Sequence, residues 1–273
     1  MNILRQSRWW KQPVMLFLIL LAASYLLPVA YMALRSVQSH DPNTVGKTGF
    51  TTAHFSLIFE NAGFLRYIWN STFVLIFVLA ANVGTAIMVG YAFSRYSFPW
   101  RNKLFYLVLL TLMIPKQVLV VPILNLMVFL GLQNTLWALI LPFCVDSFNI
   151  FLIRQYLENL PRDLEDAARV DGASELSILW NVIIPLCRPA LALIIINTAI
   201  VTWNSFLFPL ILTDSAEMRT LPVGLAMLTQ GPHSTDWGVL MAGAMTTSLP
   251  MIILFVIFQK QIVEGITSGA LRE

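Results

Sequence analysis

Several polar side chains lie inside long apolar stretches of the sequence, where they could contact a solute. Lys116 and Asp146 are charged, and Asn149, Trp203 and Asn204 add amides and an aromatic ring. A polar group inside an apolar helix costs free energy, so each is a candidate for lining a path through a membrane. Amides beside a ring suit a sugar, because its hydroxyls need hydrogen-bond partners and its C–H faces stack on aromatic rings.

The two charged residues lie at similar depths if consecutive helices cross the same layer in opposite directions. With one helix rising from Leu104 and the next returning from Thr135, Lys116 and Asp146 differ in depth by roughly 5 Å at about 1.5 Å per residue. A lysine side chain is long enough to reach the carboxylate. A buried ion pair that fixes helix packing and a pair that contacts solute both fit this placement. Trp203 also has an alternative role, as an interfacial tryptophan.

The segment 158–185 has the signals of two short helices joined by a turn. Asp163 is a predicted N-cap, because its carboxylate can accept hydrogen bonds from the free N–H groups of a first helical turn. Gly172 can take the left-handed conformation that ends a helix, and Ser174 can cap a second helix, which runs to the break at Pro185. The segment is charged and its neighbours are apolar, so it is predicted to lie outside the membrane. On composition alone such a loop only orients the protein.

The residues of this segment resemble the EAA signature of ABC importer permeases. The match consists of Asp166-Ala167-Ala168, Asp171-Gly172-Ala173 and Pro185. The resemblance implies a coupling helix between the fourth and fifth spans that docks into a separate ATPase subunit. The usual glutamate falls on Asp166, but Glu165 precedes it, and either could make the acidic contact. The implied ATPase contacts are Glu165, Asp166, Ala167, Ala168, Asp171, Gly172 and Ala173.

Other segments are similar to the carbohydrate subgroup of these permeases. They are WNSFLFPLILT from Trp203, RTLPVGLAML from Arg219, GLQNT from Gly131, MIP at 113–115 and the final EGITSGALRE. The resemblance implies the type I ABC importer permease fold and import of an oligosaccharide, a disaccharide or a sugar derivative. An amino acid or a sugar phosphate is the alternative solute.

The same resemblance implies a set of partners in the cytoplasmic membrane of a bacterium. They are a second, related permease subunit, an ATPase dimer that binds ATP and magnesium, an external solute-binding protein, and membrane lipid. Nucleic acid is not among them. The C-terminal segment from Gly265 to Glu273 is a second candidate contact with the ATPase.

The chain has no recognisable catalytic or cofactor site of its own. Thr44 to Thr48 reads like the end of a phosphate loop, but position 41, where that pattern needs glycine, is Asp41. Cys144 and Cys187 lack the spacing of metal ligands. We therefore predict a transport subunit and not an enzyme. A secondary transporter is a weaker alternative, because it would need more ionisable groups at mid-membrane.

Composition places the chain among integral membrane proteins. Hydrophobic residues make up 58% of the sequence and charged residues 11%, with a mean hydropathy of +0.74. Too little polar surface remains to cover a soluble globule. We predict an all-α polytopic membrane protein with six transmembrane helices. The predicted spans are 13–34, 67–94, 104–126, 135–155, 187–213 and 237–259.

The basic residues orient these spans. Twelve lysines and arginines fall on the side that holds both termini and the segment 158–185, against four on the other side. Positive charge is enriched on the cytoplasmic side of membrane proteins. The N-terminus (1–12), the segment 158–185 and the C-terminal tail (261–273) are therefore predicted to be cytoplasmic.

Overall fold

The structure is a computed structural model that describes residues 8–39, 49–60, 62–228 and 236–270. The phosphate-loop-like stretch 44–48 and the two chain ends, 1–7 and 271–273, lie outside these residues. The chain divides into two compact units, 1–64 with 225–248, and 65–224 with 249–273.

The predicted all-α class is confirmed, because helices dominate the described residues. In chain order they are α1 (Arg8–Val37), α2 (Ala53–Glu60), α3 (Ala62–Arg95), α4 (Arg101–Leu112), α5 (Val120–Phe129), α6 (Leu136–Ile140), α7 (Ser147–Glu158), α8 (Asp163–Val170), α9 (Glu175–Ile178), α10 (Ile184–Leu186), α11 (Arg188–Trp203), α12 (Leu207–Leu212), α13 (Leu221–Met227) and α14 (Trp237–Ala270). Two strands of two residues each, β1 (Gln38–Ser39) and β2 (Gly49–Phe50), pair antiparallel.

Four helical segments of the described chain are long and apolar enough to cross a membrane: 13–37, 63–95, 136–158 and 237–261. Two further segments pass the same test as bent pairs, α4 with 116–129 at 89°, and 175–186 with α11 at 78°. Counting each pair as one span gives the six that the sequence predicts. The segment 136–158 contains a 3-10 turn at Leu141–Phe143, and α7 begins one residue after Asp146.

The third predicted span, 104–126, is not one continuous helix in the structure. α4 ends at Leu112, and a 3-10 turn from Lys116 to Leu119 leads into α5. Pro115 is the physical reason, since its ring removes an N–H donor and disfavours the helical conformation of the residue before it. The fifth span, 187–213, is also interrupted, because residues 204–206 separate α11 from α12.

Among the described residues, separate hydrophobic clusters lie along the helices of the larger unit. One joins α3, α7, α11 and the segment 178–183 around Ile153, Ile183 and Ile194. Gly90 of α3 lies against this cluster, and a Cβ there would come within 2.7 Å of Ile153 Cγ2. The small residue at position 90 therefore lets α3 and α7 approach closely.

The smaller unit contains α1, α2 and the first part of α14. His54 Nδ1 lies 3.0 Å from the Ser36 carbonyl oxygen, which links α2 to α1. Gly243 of α14 lies against Leu225 Cδ1, so a side chain there would displace that residue.

Candidate functional site

The segment between α7 and α11 forms the two short helices and the turn that the sequence predicts. Gly172 has φ +82°, the left-handed conformation expected of a helix-ending glycine. Its N–H donates to the Arg169 carbonyl and the Ala173 N–H to the Ala168 carbonyl, both at 3.0 Å. Ser174 then caps α9 by accepting a hydrogen bond from the Ser177 N–H at 3.3 Å. We call residues 163–178 the knob.

The predicted N-cap at Asp163 is wrong by one position. α8 starts at Asp163, and the capping residue is Arg162, which provides no side-chain cap. The carbonyl of Arg162 already accepts the N–H groups of Glu165 and Asp166, at 2.9 and 3.0 Å. Asp163 therefore lies in the first turn, where its negative charge still favours the helix dipole.

The two adjacent acidic residues of the knob face opposite ways. Glu165 is 1% exposed, and its carboxylate accepts a hydrogen bond from Arg95 Nε at 2.7 Å. Asp166 is exposed, with 64% of its side-chain surface accessible, and pairs with Arg169 on the same helix at 2.8 Å. The inward carboxylate is thus bound within the chain, and the outward one faces solvent.

The three alanines of the motif also differ in environment. Ala167 is exposed, whereas Ala168 and Ala173 are half-buried and pack against the cluster of Ile153 and Ile183. Leu164 and Val170 add apolar surface to the exposed side, at 53% and 87% exposure. The exposed side of the knob therefore presents Ala167, with larger apolar residues beside it.

A cluster of charged and polar side chains around Glu175 connects α8 and α9 of the knob to Tyr96, just after the end of α3. Arg169 Nε donates to Glu175 Oε1 at 2.9 Å, and the Tyr96 hydroxyl donates to Glu175 Oε2 at 2.7 Å. These hydrogen bonds favour the ionised carboxylate and lower the pKa of Glu175 to about 2. The carboxylate in turn raises the pKa of Arg169.

A cavity of about 260 Å³ opens among the helices of the larger unit. Lys116 and Asp146 both line it, and their Nζ and Oδ2 atoms lie 2.6 Å apart. Asp146 also caps α7, since its Oδ1 accepts a hydrogen bond from the Phe148 N–H at 2.9 Å. The break that Pro115 introduces brings the lysine to the carboxylate, and the pair leaves no net charge.

The remaining predicted solute contacts do not line this cavity. Asn149 is 1% exposed, and its amide donates to Asn82 Oδ1 at 3.0 Å and to Thr198 Oγ1 at 3.1 Å. Trp203 is 3% exposed, and Asn204 donates to the carbonyl of Ile200. Asn149 therefore holds two cavity residues in place and does not itself reach the cavity.

Further polar groups line the cavity beside Lys116 and Asp146, several of them on α11, where the sequence offers amides and hydroxyls suited to a sugar. These are Ser71, Asn82, Gln117, Asn197, Thr198, Thr202, Ser205 and Thr220, with Phe143, Phe206 and Phe208 as aromatic neighbours. Asn82 could have been identified from the sequence, because an amide in the middle of a long apolar run costs free energy unless it is hydrogen-bonded. The hydroxyl of Thr220 is buried without a hydrogen-bond partner among the described residues.

Apolar helices around a polar cavity, with a charged knob at the end of α3, define a multi-pass membrane permease. The chain belongs to the family of binding-protein-dependent transport system inner membrane components, whose model matches residues 82–268. The recognition of an ABC importer permease from the motif is thereby confirmed.

Named relatives cover most of the chain. It is 40% identical over 234 residues to the arabinooligosaccharides transport system permease AraQ of Halalkalibacterium halodurans, covering 85% of this chain and 81% of that protein. It is 35% identical to the AraQ protein of Bacillus subtilis, covering 94% of each. It is 30% identical to the lactose transport system permease LacG of Rhizobium radiobacter, covering 88% of this chain and 89% of that protein.

A solved structure shares the fold. A chain of a bacterial ABC transporter involved in the import of the acidic polysaccharide alginate superposes with a TM-score of 0.81 at 26% identity. The match covers 94% of this chain and 97% of that one. The predicted permease fold is thus confirmed.

Proposed function

We propose that this chain is one permease subunit of an ATP-driven importer that takes up a carbohydrate received from an external binding protein. The observation that carries the proposal is the knob, which presents exposed Leu164, Ala167 and Val170 beside the exposed carboxylate of Asp166. Apolar surface in a charged loop is costly to leave in water and is typical of a docking site. A separate ATPase subunit, holding ATP and magnesium, is the partner that the family pattern supplies.

A carbohydrate is the solute that the cavity supports best. Hydroxyl and amide groups of Asn82, Thr198 and Thr202 offer donors and acceptors, and Phe143 and Phe206 offer aromatic faces. Lys116 and Asp146 neutralise each other, which favours a solute without net charge. The relatives named for arabinooligosaccharides and lactose support a neutral sugar in this role.

The cavity is too small to enclose an oligosaccharide on its own. Small-molecule sites typically have volumes of about 300–1,000 Å³, and this one has about 260 Å³. A second permease subunit would provide the other wall of the path. An external binding protein would deliver the solute to the side opposite the knob.

ATP drives such a machine only if the docked ATPase binds the two permease conformations with different affinity. The knob is the element through which that difference would act on the membrane helices. Closure of two ATPase copies would draw the knobs of both permeases together and open the path outwards. Hydrolysis would then reset the path to face the cytoplasm, where the knob and both chain ends would lie.

The test is to tag the chain in its native host, extract it in mild detergent and identify the proteins that co-purify at fixed stoichiometry. We expect an ATPase subunit and a second permease. The complex is then reconstituted in vesicles with ATP on the knob side, and uptake of arabinotriose and lactose delivered by the host's binding protein is measured.

Each outcome distinguishes a different function. ATP-dependent uptake of either sugar supports the proposal, and uptake of an amino acid or a sugar phosphate would change the solute class. Transport by the chain alone, without ATP, would contradict an importer subunit. It would make Lys116 and Asp146 the centre of a secondary transporter.

A further inference from the structure

We propose that Arg95, Glu165 and Glu175 are positioning residues that make the knob and the end of α3 move as one body. An ATPase docked on the knob would then drive α3, and with it one wall of the cavity. This inference rests on the proposed importer function and adds the route by which motion reaches the cavity.

Two sets of side-chain contacts connect the knob to α3, and we call each set a tie. The first tie is a buried ion pair between α3 and α8. Arg95 and Glu165 have side chains only 5% and 2% exposed, and Arg95 Nε lies 2.7 Å from Glu165 Oε1. Arg95 Nη2 also donates to the Leu160 carbonyl at 3.3 Å, just before the knob. Removing one partner of a buried pair leaves an uncompensated charge, so the pair resists separation.

The second tie runs from the exposed side of the knob back to α3. Arg169 binds Asp166 through Nη1 at 2.8 Å and Glu175 through Nε at 2.9 Å. Glu175 Oε2 accepts hydrogen bonds from the hydroxyls of Tyr96 and Tyr91, at 2.7 and 3.2 Å. A partner that binds Asp166 is thereby connected to α3 through three side chains.

The two ties share a residue. Arg169 Nη2 lies 3.8 Å from Glu165 Oε2, the oxygen that has no hydrogen-bond partner among the described side chains. Glu165 is thus held between two arginines, Arg95 of α3 and Arg169 of α8, and Arg169 also binds Glu175. The arrangement fixes the rotation of α8 about its axis as well as its distance from α3.

The covalent routes from the knob to the cavity are less direct. Towards α7 the chain passes the non-helical residues 159–162, and towards α11 it passes the π-helical segment Leu179–Ile183 and a 78° bend. By contrast, α3 is one helix from Ala62 to Arg95 with no internal proline. Its residues Ser71 and Asn82 line the cavity. Arg95 and Asn82 are about 20 Å apart along that helix at about 1.5 Å per residue, so a displacement at Arg95 is carried to the cavity.

The test measures the distance between spin labels at Met88 of α3 and Leu176 of α9, both exposed, by pulsed electron paramagnetic resonance. Cys144 and Cys187 are first replaced by alanine. The labelled chain is studied in the complex with its ATPase and second permease, without nucleotide and then with ATP and vanadate. We expect one distance, unchanged by nucleotide, in the otherwise wild-type complex. In Glu165→Gln/Glu175→Gln we expect loss of the single distance, with a shift on adding nucleotide, while ATP hydrolysis continues.

Two further variants test whether these particular contacts hold the knob to α3, or whether loss of any ion pair loosens the packing. Glu158→Gln breaks an Arg–Glu pair of the same composition within α7, in which Arg154 Nε donates to Glu158 Oε1 at 3.0 Å. We expect it to keep the wild-type distance. The exchanged pair Arg95→Glu/Glu165→Arg is expected to restore a single distance. If Glu165→Gln prevents assembly, Glu175→Gln with Tyr96→Phe tests the second tie alone, since Glu175 is half-exposed.

Two results would overturn the inference. One is a label distance that changes with nucleotide in the wild-type complex, because the knob and α3 would then move separately. The other is an unchanged distance in the double variant, because the ties would then be unnecessary. If the tagged chain co-purifies with no ATPase, the proposed function is contradicted instead. Failure of the proposed function and failure of this inference are therefore distinguishable.

Discussion

Glu165 and Asp166 are neighbours in sequence and have similar chemistry, yet the fold gives them different environments. Successive residues on an α-helix point about 100° apart, so only one of them can face α3. Arg95 determines which one, because its guanidinium is buried and needs a carboxylate. Spacing alone left the acidic contact open between the two, and the position of Arg95 could not be inferred from the segment itself. Asp166 is the carboxylate that remains exposed to solvent.

Glu175 should remain ionised throughout the range of cytoplasmic pH. Its pKa is lowered to about 2 by Arg169 and Tyr96, from an ordinary value of 4.5. A lowered pKa contributes stability above the ordinary value, and that contribution is lost only as the pH falls towards the folded-state value. We expect hydrogen exchange of residues 163–178 in the complex, corrected for intrinsic rates, to show constant protection from pH 8 to pH 6 and weaker protection below about pH 4.5. Loosening between pH 7 and pH 6 would contradict this assignment.

Lys116 and Asp146 offer a test between a structural pair and a solute contact. Asp146→Asn keeps the cap on α7 but leaves Lys116 unpaired in the cavity. For a partly exposed pair, we expect uptake of the transported sugar to fall by no more than roughly fivefold, equivalent to about 1 kcal/mol. The double variant Asp146→Asn/Lys116→Gln restores neutrality, and we expect it to recover most of the uptake. If the double variant transports less than the single one, the lysine contacts the solute directly.

At the scale of elements, the sequence predicts where apolar helices lie better than where they bend. The runs 67–94 and 237–259 fall within α3 and α14. In a membrane the backbone N–H and C=O groups of a long apolar run have no water to bind, so they hydrogen-bond within a helix. The break at Pro115 has a local cause, but the 89° angle depends on packing. The same limit explains Trp203, which was expected to contact solute but is 3% exposed and does not line the cavity. A helix has several faces, and tertiary contacts select the face that meets the cavity.

The turn between α8 and α9 depends on the backbone of Gly172. No heavy atom lies within 4 Å of a Cβ placed there, so a side chain has space, but its φ of +82° is unfavourable for L-residues. Alanine at this position should cost about 1–2 kcal/mol, and asparagine less. We expect Gly172→Ala to lower the amount of ATPase that co-purifies, and Gly172→Asn to retain more of it.

Gly131→Ala is the matched control for this turn. Gly131 has φ +67° and equally open space, so it carries the same backbone strain in a turn outside the knob. We expect it to lower the melting temperature of the purified chain and leave ATPase binding intact. Equal loss of ATPase binding in both alanine variants would show that strain, and not the knob, is responsible.

Ala167 and Ala168 of the knob should respond differently to a bulky residue. Ala167 faces solvent, so Ala167→Trp should leave the melting temperature of the isolated chain within a degree or two and weaken ATPase binding at least tenfold, about 1.4 kcal/mol. Ala168 packs against the core, so Ala168→Trp should destabilise the chain itself, by about 1–3 kcal/mol. Surface binding assays on the purified ATPase, with melting curves of each variant, measure both effects. Unchanged binding by Ala167→Trp would remove this face from the docking site.

At the scale of the whole molecule, contacts within the larger unit predict that both bent pairs cross the membrane. The knob binds Arg95 at one end of α3, while Asn70 near its other end donates to the carbonyls of Glu217 and Arg219. The 25 residues between Asn70 and Arg95 span about 37 Å, more than the roughly 30 Å of a bilayer core. The chain therefore crosses between the knob and 217–219, through the pair that includes α11. Asn134 accepts hydrogen bonds from the Asp214 and Ser215 N–H groups, so the turn at 131–134 lies on that second side. We therefore expect the pair that includes α4 to cross the membrane as well.

This topology predicts which positions an impermeant thiol reagent reaches in intact cells. In a background lacking Cys144 and Cys187, single cysteines are placed at Gln133 or Asp214 on one side, and at Val170 or Leu176 on the knob. All four positions are exposed, so differences in labelling report the side of the membrane. Because twelve basic residues accompany the knob and four the opposite side, the knob should be cytoplasmic. We expect Gln133→Cys and Asp214→Cys to react in intact spheroplasts, and Val170→Cys and Leu176→Cys only after permeabilisation. Labelling of Gln133→Cys together with Val170→Cys in intact spheroplasts would make the first bent pair a re-entrant loop and would place the knob beyond the reach of any cytoplasmic ATPase.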